Sequence, residues 1–412
     1  MNSRSATLAL GFSSIGHFFA HLMMLLYPTV VLALESGWGM SYGDLLSLSL
    51  GGFLLFGLGA LPAGWLGDRW SAERMMLIFF LGTGGAAIVT GLASGPTGLA
   101  AGLAMVGLFG SIYHPVGTAW LVRNAENRGR ALGWNGIFGS VGLASAPFVA
   151  GALAQLISWR AAFIVPGMLC AAAGITMWFL MRGGTMVAAR TDRRPQPEPD
   201  APRADVVRAF VVLSVTMLAV GLVSQAMSVG LPKAFAERLT GLTNGGILGA
   251  GGFVTAVYLV SATAQLVGGW LADRFALKAV YLVAWAVQAP LFLIAAQASD
   301  GPLLAAVMAV SYLGVMATPA ENALLARYTP ERWRATAYGA KFVLSLGVST
   351  FGVAVVALVH DRTGSFASLW LALAGCSIVV VVAGLFLPGR LALSAGAIAR
   401  AAAGRVGLAG LR

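Results

Sequence analysis

Apolar runs of about twenty residues recur along this chain, divided by short stretches of Gly, Pro and charge. They lie around 8–33, 43–66, 75–94, 98–121, 131–155 and 161–181, then resume around 207–230, 246–271, 279–299, 302–325, 335–358 and 366–387. An α-helix of about 20 residues crosses the roughly 30 Å of hydrocarbon in a bilayer. In lipid every backbone N–H and C=O must find its partner within the protein, so runs of this length are expected as spanning helices. Twelve of them predict an all-α polytopic membrane protein. Composition points the same way: 58% of the residues are hydrophobic and 10% charged, a balance foreign to a soluble domain of 412 residues.

Loop charge sets the orientation, because Lys and Arg near helix ends stay on the cytoplasmic side. With the N-terminus inside, 21 basic residues fall on that side and four outside (Arg160, Lys233, Arg238 and Arg362), while Lys341 lies within a run. Both termini are therefore expected in the cytoplasm. The net charge of +11 is spread over these membrane-edge loops rather than gathered on one folded face, so it calls for no nucleic-acid partner. The first run is too long and too poor in flanking basic residues for a cleaved signal. Cys170 and Cys376 sit in separate apolar runs and read as small buried residues.

The chain also repeats. Gly64-Trp65-Leu66-Gly67-Asp68-Arg69 returns as Gly269-Trp270-Leu271-Ala272-Asp273-Arg274, 205 positions on, and Pro115, Arg123, Arg128 and Arg130 match Pro319, Arg327, Arg332 and Arg334 at an offset of 204. Two copies of one six-helix unit follow. The expected divisions are an N-terminal half at 1–184, a cytoplasmic linker at 185–205 rich in Arg, Pro and acid, a C-terminal half at 206–387 and a cytoplasmic tail at 388–412.

The first copy of the hinge resembles the signature loop of the major facilitator superfamily, matched at Gly64, Asp68, Arg69 and Arg74, and the second copy keeps Gly269, Asp273 and Arg274. The later glycine of that pattern is replaced by Ser71 or Ala72. The resemblance implies two pseudo-symmetric six-helix halves, a bacterial inner-membrane location, and a loop whose charges latch the helices on the cytoplasmic face. Taken alone, the same residues also suit a tight polar turn. Gly139, Gly142, Ala146, Pro147, Ala150 and Gly151 are similar to the antiporter motif of that superfamily, with Ala at two glycine positions. Ser111-Ile112-Tyr113-His114-Pro115, with Gly16-His17, resembles its fosmidomycin-resistance branch, which implies an exporter of small molecules.

An ionisable side chain at the centre of a spanning helix costs at least ~2.5–3.5 kcal/mol on insertion scales, so each one is a functional candidate. His17 and His21, at i and i+4, share one face of the first helix. They are either proton carriers or neutral rings bonded to their neighbours. Tyr113 and His114 lie in the fourth helix, where Pro115 is expected to bend the backbone and aim His114 at a cavity or a freed carbonyl. Glu321 and Lys341 sit at similar depth on consecutive helices; an ion pair between them would offset the cost of burying either, and it would either only fix packing or open when Glu321 takes a proton or Lys341 meets an anionic substrate.

The spacing His17-Phe18-Phe19-Ala20-His21 imitates a zinc-binding helix, but it lacks the glutamate of His-Glu-x-x-His and any visible third ligand, so no metal and no cofactor are expected. No nucleotide-binding Gly-x-x-x-x-Gly-Lys loop, nucleophile elbow or paired intramembrane Asp is present, which argues against an enzyme. The expectation is a monomeric, proton-coupled exporter whose partners are protons, a small-molecule substrate and the lipid bilayer. Proton-coupled uptake of a metabolite or organic anion, or a sensor or assembly protein on the same scaffold, stay open.

Overall fold

The computed structural model describes residues 3–126, 128–185, 203–243, 246–329, 341 and 350–388. Residues 186–202 of the expected linker, the tail beyond 388 and most of the eleventh apolar run lie outside the described residues. Among those described, eleven helices are long and apolar enough to cross a membrane. We number them with the visible part of the eleventh: α1 (Ser5–Glu35), α2 (Tyr42–Arg69), α3 (Ala72–Gly91), α4 (Pro96–Asn124), α5 (Arg130–Leu156), α6 (Ala161–Arg182), α7 (Ala204–Arg238), α8 (Ile247–Arg274), α9 (Leu277–Gln297), α10 (Asp300–Tyr328), α11 (Thr350–Thr363) and α12 (Ala367–Leu385).

The helix ends follow local chemistry. Ser71 caps α3, its Oγ accepting from the Arg74 backbone N–H at 3.3 Å, and Pro96 occupies the first turn of α4, where its missing N–H is not needed. Inside α4, Tyr113–Gly117 forms one π-helical turn, the wider winding that Pro115 and its missing N–H favour.

The repeat is visible in the packing. In the first half α2 packs on α4, α3 on α4 and α6, and α1 on α5; in the second α8 packs on α10, α9 on α10 and α12, and α7 on α11. Lipid tails are as apolar as the helices, so hydrophobic burial separates packed from unpacked helices poorly, and close approach at small residues takes over. Leu266, Leu156 and Phe351, each more than 60% exposed, face outward where acyl chains belong.

The halves meet along α5–α8, α2–α11 and α1–α7. At α5–α8 the backbones nearly touch: a Cβ added to Gly251 would fall 2.3 Å from the Pro147 carbonyl oxygen, and one on Gly151 3.0 Å from that of Ile247. Here the Thr255 hydroxyl of α8 donates to the Ala144 carbonyl at 2.6 Å and accepts from the Phe148 N–H at 3.2 Å, so it bridges the two ends of a single rung of the α5 ladder.

Further inter-half bonds gather at the face away from the N-terminus. Lys233 meets Glu35 at 2.7 Å; Asp361 accepts from the Ser41 hydroxyl at 2.7 Å and the Gly43 N–H at 2.9 Å; the Tyr42 hydroxyl donates to the Val229 carbonyl at 3.2 Å. A cavity of about 580 Å³ lies at the opposite, N-terminal face, among the ends of α1, α4 and α5.

Candidate functional site

Close packing of α1 on α5 comes first, because it decides which way His17 points. A Cβ on Gly142 would lie 2.2 Å from the Phe18 carbonyl oxygen, and one on Gly139 2.5 Å from the His17 ring. Two glycines one turn apart on α5 thus let α1 approach and leave a slot for the imidazole. In that slot the His17 Nδ1 lies 2.8 Å from the Asn135 backbone carbonyl. A carbonyl has no hydrogen to give, so Nδ1 carries the proton and donates it. A neutral ring with Nδ1–H has its lone pair on Nε2.

That Nε2 lies 3.2 Å from Nε2 of His21. The π-helical turn of α4 brings in the third ring: His114 stands edge-on to both, with centroids 5.5 Å from His17 and 5.3 Å from His21. One nitrogen of each of the three histidines lies within 4.8 Å of the other two. Tyr113 stacks on His17 at 4.9 Å, and the Asn135 Nδ2 donates to its hydroxyl at 2.8 Å and to Ser13 at 3.4 Å, while Ser13 donates to the Gly117 carbonyl at 2.9 Å. The polar atoms between α1, α4 and α5 thus form one bonded network.

The second half carries a different group. Glu321 and Lys341 pair at 2.7 Å, and the Lys341 ammonium also donates to the Asn322 side chain at 2.6 Å. Glu321 is buried, 4% exposed. Its partner holds the charge there, since an unpaired carboxylate at that burial would cost several kcal/mol.

At the N-terminal face, Asp68 pairs with Arg123 of α4 at 3.3 Å. Arg69 lies over Trp65 and Arg74 over Trp70, at 4.4 Å and 5.5 Å. The second copy repeats the first contact, with Arg274 over Trp270 at 4.5 Å. The glycines differ: Gly64 fits against Pro115, but Gly269 faces open space and the tight position is Gly268, whose added Cβ would meet the Met316 carbonyl at 2.2 Å. Close approach therefore follows the 204-residue offset of the prolines, one residue away from the Asp-Arg register.

Several residues with work in these sites drew no notice in the sequence. Asn135, a lone amide early in α5, ties His17 to Tyr113. Glu73, beside the hinge, is buried and held by the Trp120 indole at 3.1 Å and the Ser71 hydroxyl at 2.8 Å. Thr255, Glu35, Lys233 and Asp361 join the halves, and a single chain order does not say which loops meet.

A family model described as Major Facilitator Superfamily matches residues 13–340. Among solved structures, the chain is similar to a bacterial homolog of the human lysosomal transporter Spinster in an inward-facing, occupied conformation (15% identity, TM-score 0.71, covering 93% of this chain and 94% of that one). It is similar to the peptide transporter POT in complex with sulfate (14% identity, TM-score 0.73, 93% of each chain) and to FucP in the outward conformation (18% identity, TM-score 0.60, 94% of this chain and 100% of that one). Comparison with curated proteins finds no match. With four-fifths of its length matched by one family model, a repeated six-helix packing and two copies of the Asp-Arg hinge, the chain belongs to the Major Facilitator Superfamily.

Proposed function

We propose that this chain is a proton-coupled antiporter that exports small molecules across a bacterial inner membrane by alternating access, with both termini in the cytoplasm. The observation that carries the reading is the asymmetry between the two faces: ion pairs and backbone bonds join the halves at the far face, while a cavity lies at the N-terminal face. With the basic loops inside, this asymmetry supports an inward-facing arrangement. The cavity is lined by Leu10, Leu121, Trp134 and Phe138, with Glu126 and Arg130 at its polar edge, a lining suited to an amphipathic substrate. The packing of Gly142, Pro147 and Gly151 supports antiport, since α5 touches α1 and α8 along its length and leaves little room for leak.

The coupling group in this reading is Glu321. Protonation cancels its charge and frees Lys341, so the pair has two arrangements that a proton can bias. Among the described residues, Lys341 pairs with Glu321 and Tyr281 of α9 lies near it, while the Lys341 ammonium also reaches Asn322. Lys341 has both a carboxylate and an amide as partners, which disfavours its use as counter-ion for an imported anion.

The test is proton movement in proteoliposomes holding a pH-sensitive dye, challenged with lipophilic drugs and organic anions. Wild type should show substrate-triggered flux whose sign is that of antiport, and Glu321→Gln should abolish it. Flux of the opposite sign would make the protein a symporter; full flux in Glu321→Gln would move coupling elsewhere.

A further inference from the structure

The sequence offered two histidines and no third ligand; the fold supplies the third. We propose that His17, His21 and His114 form a binding site for a divalent transition-metal ion of the zinc type, held by three imidazoles with a fourth position open.

Three features of the geometry carry this. The first is spacing. Zn–N bonds of about 2.0–2.1 Å at tetrahedral angles place neighbouring ligand nitrogens roughly 3.3 Å apart. The two Nε2 atoms on α1 are already 3.2 Å apart, and the His114 nitrogen lies within 4.8 Å of both. A χ rotation of His114 closes the remaining gap.

The second is the tautomer. Metal-binding imidazoles donate their other ring N–H to a carbonyl or carboxylate, which fixes the ring and leaves the ligating lone pair bare. His17 does this: Nδ1–H donates to the Asn135 carbonyl, and its Nε2 faces the cluster. The slot that holds the ring is built, because Gly139 leaves no room for a Cβ beside it and Tyr113 covers its face.

The third is ligand class. Among the described residues this is the one group of three His, Cys, Asp or Glu side chains close enough to share an ion, and it consists wholly of imidazole. Imidazole suits Zn, Co, Ni and Cu, and does not suit Mg or Ca. This inference rests on the histidine geometry alone and not on the coupling role of Glu321, so either can fail without the other.

The test uses the full chain, purified in detergent on a tag free of histidine and titrated with Co²⁺. Wild type should take up one Co²⁺ per chain with the visible d–d band of a four-coordinate ion, and Zn²⁺ should displace it. His21→Ala and His114→Ala should each abolish the band and weaken Zn²⁺ binding by more than about 100-fold, beyond what the loss of an outer partner costs. Gly139→Ala, which crowds His17 without removing a ligand, should weaken binding by about 10- to 100-fold. Thr176→Ala, on the exposed face of α6, should leave it unchanged, and a thermal melt of each variant separates lost binding from lost folding. If wild type binds no ion, or if a folded His17→Ala/His21→Ala/His114→Ala variant binds Co²⁺ with the same band and affinity, the proposal is wrong.

Discussion

The two halves share one packing pattern, yet they hold polar groups inside the membrane in opposite ways. In the first, His17, His21, Tyr113, Asn135 and Ser13 are joined by hydrogen bonds, one of them anchored on a backbone carbonyl, and His114 packs edge-on against the two histidines. In the second, a buried carboxylate and an ammonium meet at 2.7 Å. A neutral network loses a hydrogen bond or two when one member is removed; a buried ion pair leaves a charge behind. The same scaffold therefore tolerates substitution very differently on its two sides.

That contrast is sharpest at Lys341. Lys341→Ala should destabilise the protein by about 3–5 kcal/mol, because Glu321 is left buried and unpaired, whereas Lys341→Met with Glu321→Gln should recover most of it. Thermal unfolding in detergent, followed by size-exclusion chromatography, reads both. Equal losses in the single and double variants would break the comparison. The charge swap Glu321→Lys with Lys341→Glu sharpens it: if transport returns, the pair serves packing and proton transfer lies elsewhere.

On the neutral side the expected effects are smaller. Gly142→Ala should cost about 1–3 kcal/mol by pushing α1 away from α5, since its Cβ has a backbone carbonyl in the way, and the same melt would show it. Tyr113→Phe should cost about 1–3 kcal/mol at most, the range for leaving the Asn135 amide without its nearer acceptor. Smallest of all, Lys233→Met at the far-face pair, whose side chains are 15% and 26% exposed, should change stability by about 1 kcal/mol, since water still reaches both charges. It should nonetheless raise the labelling of a cysteine placed near Tyr42, because the bond it removes joins the halves.

The spans, the repeat and the Asp-Arg hinge were legible in the chain because each depends on local pattern: run length, loop charge and spacing. Trp65 with Arg69 and Trp270 with Arg274 show the repeat down to a side-chain contact. The approach of Glu321 and Lys341 followed from depth, since both sit about two turns from charged helix ends. What the sequence could not show depends on rotation of one helix against another. His114 joins His17 and His21 only because a π-helical turn rotates it there, and Asn135 matters through its carbonyl, a group every residue has. Which glycine of the second hinge lies against its neighbour also escaped the motif, because a one-residue difference in register leaves the pattern of residue types nearly unchanged.

The Thr255 hydroxyl makes the stiffness of α5 a property of the assembly and not of the helix. Pro147 has already removed one rung of that ladder, and the next is completed from the other half. In the proposed alternating-access cycle the halves rock apart, the bridge is withdrawn, and the Phe148 amide must bond within its own helix or to water. The α5 backbone is thus stiff while the far face is closed and more pliant once it opens. Hydrogen–deuterium exchange at that one amide would then report the working cycle of the whole molecule, its rate rising and falling as the two halves part and rejoin.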